Sequence, residues 1–158
     1  MIFTTILPEA VFTLYSRTGM LSQTAEYALR TVLYLAARQG DELHRVSEIA
    51  GELDIPQNYL SKTLHLLARA GVLTSSRGKH GGFRLAKSPS KIALAEVVAP
   101  FDGPTGARIC LLGRVACSDK DPCPAHGRWK SVSNEVSTFF RETKVSDLLE
   151  SPVARVRR

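Results

Sequence analysis

Three cysteines and a histidine gather in the second half of the chain. Cys110, Cys117, Cys123 and His126 are separated by six, five and two residues, so four soft or borderline donors lie within seventeen positions. Thiolates with imidazole select zinc or an iron–sulfur cluster, and the spacing is compatible with both. Cys123 and His126, at i and i+3, are expected on one face at the start of a helix, whose N-terminus favours thiolate over thiol. Glycines and prolines before them let Cys110 and Cys117 fold over the same point. Other chemistries compete. A structural zinc on three cysteines and one histidine is sound, although the close pairs of cysteines that such sites commonly use are absent. A catalytic dyad of Cys123 and His126 shows no third orienting group and no substrate pocket in the sequence. Redox-active thiols and inert thiols complete the set.

The rest of the chain must position these donors. An odd number of cysteines without an export signal argues against a disulfide framework and for the reducing cytoplasm. Met1 to Leu7 is apolar but lacks a basic flank, and Pro8 and Glu9 break it, which argues against a secretory signal. Translation is expected to start at Met20, with a disordered or loosely packed extension over 1–19 as the alternative. No apolar run reaches the eighteen or so residues a membrane helix needs, so no membrane span is expected. With 158 residues, 44% of them hydrophobic, one domain with an appended oligomerisation element can bury a core. The net charge of +6 and a pI near 9.5 favour a polyanionic partner.

Residues 45–85 carry the clearest organisation, a winged helix-turn-helix. Val46, Ile49, Ala50 and Leu53 form the apolar stripe of a short helix, and Asp54-Ile55-Pro56 interrupts it as a turn. A second helix follows, with Pro56 near its first turn, Leu60, Leu64 and Leu67 on its inner face, and Gly71 at a left-handed C-terminal cap. Asn58, Ser61, Lys62, His65 and Arg69 project from the opposite face without a carboxylate among them, which suits the major groove. Val72–Ser75 and Phe83–Leu85 read as two short strands joined by a glycine-rich loop, the wing. Its Arg77, Lys79 and His80 supply charge for phosphates or a narrow minor groove, and its glycines permit close approach to another backbone. The candidate DNA contacts are Asn58, Tyr59, Ser61, Lys62 and His65 on the helix, with Arg77, Lys79 and His80 on the wing.

Around this unit, Ala25, Ala28, Leu29, Val32, Leu33 and Ala36 predict a supporting helix over 24–39, with Ser22 or Thr24 as N-cap and Gly40 as its stop. Ile92, Leu94, Val97, Val98 and Phe101 mark a short helix that Pro100 and Gly103-Pro104 are expected to end. The winged domain therefore spans 20–101, followed by a cysteine-containing loop over 102–123. From Ala125 the apolar residues Trp129, Val132, Val136 and Phe139, with Phe140 alongside, form the seam of a helix that packs lengthwise on another. The same helix of a second subunit is the expected partner, with folding back onto its own domain as the alternative. A last short helix over 143–150 completes the 124–150 segment, and Arg155, Arg157 and Arg158 lie in a basic tail at 151–158. The expected fold is thus mainly α with a small β-hairpin wing and a long C-terminal dimerisation helix.

Several ordered motifs resemble the IscR/NsrR-type winged-helix transcriptional regulators of the Rrf family. They are Thr24-Ala25-Glu26-Tyr27-Ala28-Leu29-Arg30, Ile49-Ala50 with Tyr59-Leu60, Arg77-Gly78 with Gly81-Gly82-Phe83, and Cys123-Pro124-Ala125-His126-Gly127-Arg128-Trp129. The last is close to the Cys-x-x-His-x-x-Trp of IscR itself. The resemblance covers Met20 to about Leu149 and leaves residues 1–19 outside it. It implies a dimeric bacterial regulator in which Cys110, Cys117 and Cys123 ligate an iron–sulfur cluster and His126 is the fourth ligand of a 2Fe-2S centre. One more residue separates Cys110 from Cys117 than in IscR. In NsrR-like members the fourth ligand is an acidic residue of the partner's first helix, which here corresponds to Glu26 with a 4Fe-4S cluster; the histidine version is favoured.

Together these readings predict a cytoplasmic, homodimeric transcription regulator, most simply a repressor. It binds double-stranded DNA at a palindromic operator, and an iron–sulfur cluster sensing iron, redox or nitric oxide status sets its affinity. A structural zinc or a cluster-free thiol switch is the alternative. No enzyme activity, small-molecule substrate or membrane partner is expected.

Overall fold

The computed structural model describes residues 20–38, 40, 42–78, 81–103, 111–112 and 117–149. Residues 1–19, Lys79, His80, Cys110 and the basic tail lie outside that set. The first helix, α1, spans Gln23–Ala37, one residue earlier at its start and two earlier at its end than the pattern suggested. Ser22 caps it, its Oγ accepting from Ala25 N–H at 3.2 Å. Ala25, Ala28, Val32, Leu35 and Ala36 are buried along one stripe. Thr31 is buried too, but its hydroxyl donates to the Tyr27 carbonyl at 2.7 Å, so no polar group is left unmet.

Helix α2 (Val46–Leu53) and helix α3 (Gln57–Arg69) form the expected pair. Asp54 makes the turn between them in the left-handed region, φ 52°, which aspartate tolerates better than a branched residue would. Pro56 caps α3, and Gly71 at φ 72° follows its end. Leu60, Leu64 and Leu67 are fully buried, each contributing on the order of 1.5–3 kcal/mol by the area they remove from water. Strands β1 (Leu73–Ser76) and β2 (Gly82–Leu85) pair antiparallel, from Leu73 opposite Leu85 to Ser76 opposite Gly82.

A third segment joins this hairpin. His44 and Phe83 exchange both backbone hydrogen bonds, at 3.0 and 2.9 Å, so the residues entering α2 lie alongside β2. The approach is tight enough to demand glycine. A Cβ on Gly82 would stand 2.5 Å from the His44 carbonyl oxygen, and one on Gly81 would stand 2.4 Å from that of Ser76.

Helix α4 spans Leu94–Asp102 after a 3-10 turn at Pro89–Lys91. Two expectations fail here. Ile92 precedes the helix, and Pro100 lies inside it, because a proline in the final turn costs a single backbone bond while Gly103 at φ 75° makes the stop. Helix α5 spans His126–Glu142. Its Phe140 is buried and Val136 packs on the core, whereas Val132 and Phe139 remain 49% and 52% exposed. The helix therefore folds back on its own domain through one side and keeps another side open. The final short helix is a 3-10 turn, Val145–Leu148, not an α-helix. Val145 N–H donates to Ile92 O and Leu94 N–H to Thr143 O, so the backbone arrives as a strand-like bridge against Ala93. Among the described residues no helix is long and apolar enough to cross a membrane.

Candidate DNA-binding face and cysteine site

Asn58, Tyr59, Lys62, His65 and Arg69 are all exposed on α3, with Ser61 half-buried beside them. Tyr59, 60% exposed, adds a ring and a hydroxyl to this face. The helix carries no acidic residue. His65 meets Phe83 edge-on at 5.4 Å between ring centres, so recognition helix and wing touch at the residue that also pairs with His44. A groove between them is lined by Arg45, His65, Arg77 and Phe83. Arg45 was not among the sequence candidates. Its signal was its position, a cation immediately before the first apolar residue of α2.

Behind the groove, the buried His44 ring donates through Nδ1 to Glu48 Oε1 at 2.9 Å and meets Tyr34 edge-on at 6.0 Å. That hydrogen bond is the main reason the Glu48 carboxyl is held below its ordinary range. Arg38 stacks on the other part of the cluster, 3.6 Å from the Tyr34 ring centre, and burial pushes the Tyr34 hydroxyl up.

The cysteine site is built on the start of α5. His126 is its first residue, after an N-cap at Ala125, and its N–H donates to Cys123 O at 2.9 Å. Cys123 thus precedes the helix by one turn of chain instead of sharing a helical face with His126, because Pro124 follows it and biases it away from helical backbone. The partner of the imidazole is Cys117, whose Sγ lies 3.3 Å from His126 Nδ1. The other ring nitrogen, Nε2, donates to Asp119 Oδ1 at 2.7 Å, and Lys130 Nζ donates to the same oxygen at 2.9 Å. Asp119 is the orienting group that the cysteine and histidine spacing did not reveal. It sits two residues after Cys117, where only the fold of the loop brings it to the ring.

Thiolate and imidazole are donors of the type a cluster or a zinc ion takes, and of the described candidates the structure brings Cys117 and His126 into contact. Two ligands of one tetrahedral metal, with bonds of about 2.3 Å to sulfur and about 2.0 Å to nitrogen, stand roughly 3.5 Å apart. The 3.3 Å between Cys117 and His126 is close to that. Cys117 and Cys123 are both half-buried, free thiols. Among the described residues no three potential ligands form a metal-binding group, and the remaining one of the four sequence candidates, Cys110, lies outside them. Glu26 stands half-buried in the first turn of α1. The start of that helix is tied to the end of α4, with Ser22 N–H donating to Asp102 Oδ2 at 2.8 Å. The chain therefore leaves for the cysteine segment beside the helix that carries Glu26.

Residues 21–151 match the Rrf2 profile, described as an iron-dependent transcriptional regulator. A protein of Aquifex aeolicus assigned as an HTH-type transcriptional regulator is 36% identical over 132 residues, 82% of this chain and 91% of that one. The HTH-type transcriptional regulator IscR of Vibrio atlanticus is 28% identical over 130 residues, 82% of this chain and 75% of its own. Among solved structures, CymR, the global cysteine regulator of B. subtilis, superposes with a TM-score of 0.71 at 22% identity, covering 84% of this chain and 98% of that one. The T. potens IscR structure superposes at 0.67 with 20% identity, over 84% and 88% of the two chains.

Proposed function

This chain belongs to the Rrf2 family of transcriptional regulators, DNA-binding proteins and not enzymes, and on that premise we propose that it is a cytoplasmic, homodimeric repressor whose DNA affinity is set by an iron–sulfur cluster. The observation that carries this reading is the meeting of Cys117 with His126 at the first residue of α5. Cys110, Cys117, Cys123 and His126 would hold the cluster, in a 2Fe-2S form. Glu26 of the partner subunit is the alternative fourth ligand, with a 4Fe-4S form. When bound, the cluster would supply a centre that responds to iron supply, redox state or nitric oxide.

The remaining roles fall to the protein's own groups. The position of His126 sets where α5 begins, and α5 connects that point to the winged domain through Val136 and Phe140. Val132 and Phe139 offer an apolar strip to a second copy of α5. Two joined copies present two α3 faces to a palindromic operator, with Asn58, Tyr59, Ser61, Lys62 and His65 reaching into the groove. Arg77, Lys79 and His80 on the wing, together with Arg45, serve the phosphates or the minor groove. Gain or loss of ligand bonds acts as a switch only through a difference in stability between two dimer conformations, and the junction at His126 is where such a difference enters.

The test is iron, sulfide and zinc content with a visible spectrum on protein purified without oxygen, beside Cys123→Ala. Iron and sulfide in near-equal amounts, with an absorption band lost in the variant, are expected. Zinc alone would replace the cluster with a structural site. A second reading draws on Cys117 lying against the imidazole: a cluster-free thiol switch, identified by metal-free protein that releases DNA on exposure to peroxide.

A further inference from the structure

His126 has two ring nitrogens, and the neutral ring can present only one of them as a lone-pair donor. Which one is decided by the hydrogen bond at the other. An ionised carboxylate is an acceptor only, so the nitrogen 2.7 Å from Asp119 Oδ1 must carry the proton, and that nitrogen is Nε2. We infer that Asp119 is a positioning residue: it holds His126 in the Nε2–H form and aims the unprotonated Nδ1 at Cys117. This inference rests on the cluster reading for its purpose, since Nδ1 is then the nitrogen through which the ring serves as a ligand.

The arrangement has the parts that such a role requires. Lys130 lies four residues after His126 on α5, so both side chains leave the same face of one helix and converge on the same carboxylate oxygen. The helix thereby fixes the acid that fixes its own first residue. His126 is buried to 9% exposure, which confines the ring to one orientation once Nε2 is engaged. The Asp119 side chain, by contrast, is 56% exposed, and removing it leaves no cavity in the core. Backbone support for its placement is local, Ser118 Oγ accepting from Lys120 N–H at 3.1 Å. A carboxylate on the outer nitrogen of a ligating histidine fixes the tautomer and the ring plane and raises the basicity of the inner nitrogen.

Two measurements on the full chain separate this role from the cluster itself. Two-bond proton–nitrogen correlation spectra of metal-free protein, recorded where the rings are neutral, report the tautomer of His126. Wild type is expected to show the Nε2–H form, Asp119→Ala a mixture of both, and Asp119→Glu a return towards wild type. Iron loss to a chelator, followed by visible circular dichroism, is expected to run roughly ten- to a hundredfold faster in Asp119→Ala, with the melting temperature unchanged. A wild-type Nδ1–H ring, or a tautomer and iron-loss rate that Asp119→Ala leaves as they were, would overturn the inference. An Nε2–H ring that the variant scrambles, in a protein that carries no iron or sulfide even when purified without oxygen, would uphold the positioning role and overturn the cluster reading instead.

Discussion

His44 and His126 look alike at first sight: each is a buried ring bonded to one oxygen of a more exposed carboxylate. Their surroundings differ in what the second face of the ring meets. At His44 it is Tyr34, an aromatic edge, and the residue's own backbone is locked into the wing by Phe83. At His126 it is a thiol, and the supporting aspartate comes from a loop. The first histidine holds shape on both sides of its ring, while the second, on the proposed reading, presents a nitrogen to a ligand. The wing root is thus built for permanence and, on that same reading, the cysteine site for exchange.

That contrast breaks most visibly at the wing root. Gly82→Ala forces a methyl group against the His44 carbonyl and is expected to cost roughly 3 kcal/mol in denaturant unfolding, with operator binding lost in parallel. A cost below about 1 kcal/mol would mean that the bridge yields more easily than its spacing suggests.

Glu48→Gln is a gentler probe of the same root. Because the Glu48 carboxyl is held below its ordinary range, its bond to His44 contributes stability above that range and loses it as pH falls through the lowered value. The carboxylate is 47% exposed, so solvent screening limits the effect to under about 1 kcal/mol. Stability curves recorded from neutral to acid pH should therefore converge for wild type and variant at the acid end. Parallel curves would remove His44 and Glu48 from the pH response.

The smallest effect on folding is expected at the other site. Cys117→Ala removes a half-buried thiol and should leave unfolding within about 0.5 kcal/mol of wild type, although iron content falls. A drop comparable to that of Gly82→Ala would place the cysteine site among the elements that hold the fold.

The winged unit was legible because its signals are local and periodic. Leu60, Leu64 and Leu67 recur at helical spacing, Pro56 and Gly71 punctuate, and the glycines of the wing announce a close approach. What they approach was not legible, since the pairing of His44 with Phe83 joins residues far apart in sequence. Pro100 misled because a proline marks where a helix tends to stop but tolerates one more half-turn. The seam on α5 was read correctly as apolar, yet periodicity cannot divide residues between two partners, and Phe140 turns inward while Phe139 does not. Asp119 was hidden for a simpler reason. Nothing in the spacing of an acidic loop residue tells which of several cations or rings it will meet.

The bridge between His44 and Phe83 has one more consequence, for length. The chain leaves that point and returns to it, so both helices of the DNA-binding pair and the wing tip sit within a closed loop whose ends are already joined. Closing a loop is costly once, and doubling its length afterwards adds only about 0.6 kcal/mol. The tip beyond the Ser76–Gly82 pair can thus lengthen or shorten, and change how far the wing reaches along a duplex, while the root that anchors it stays the same.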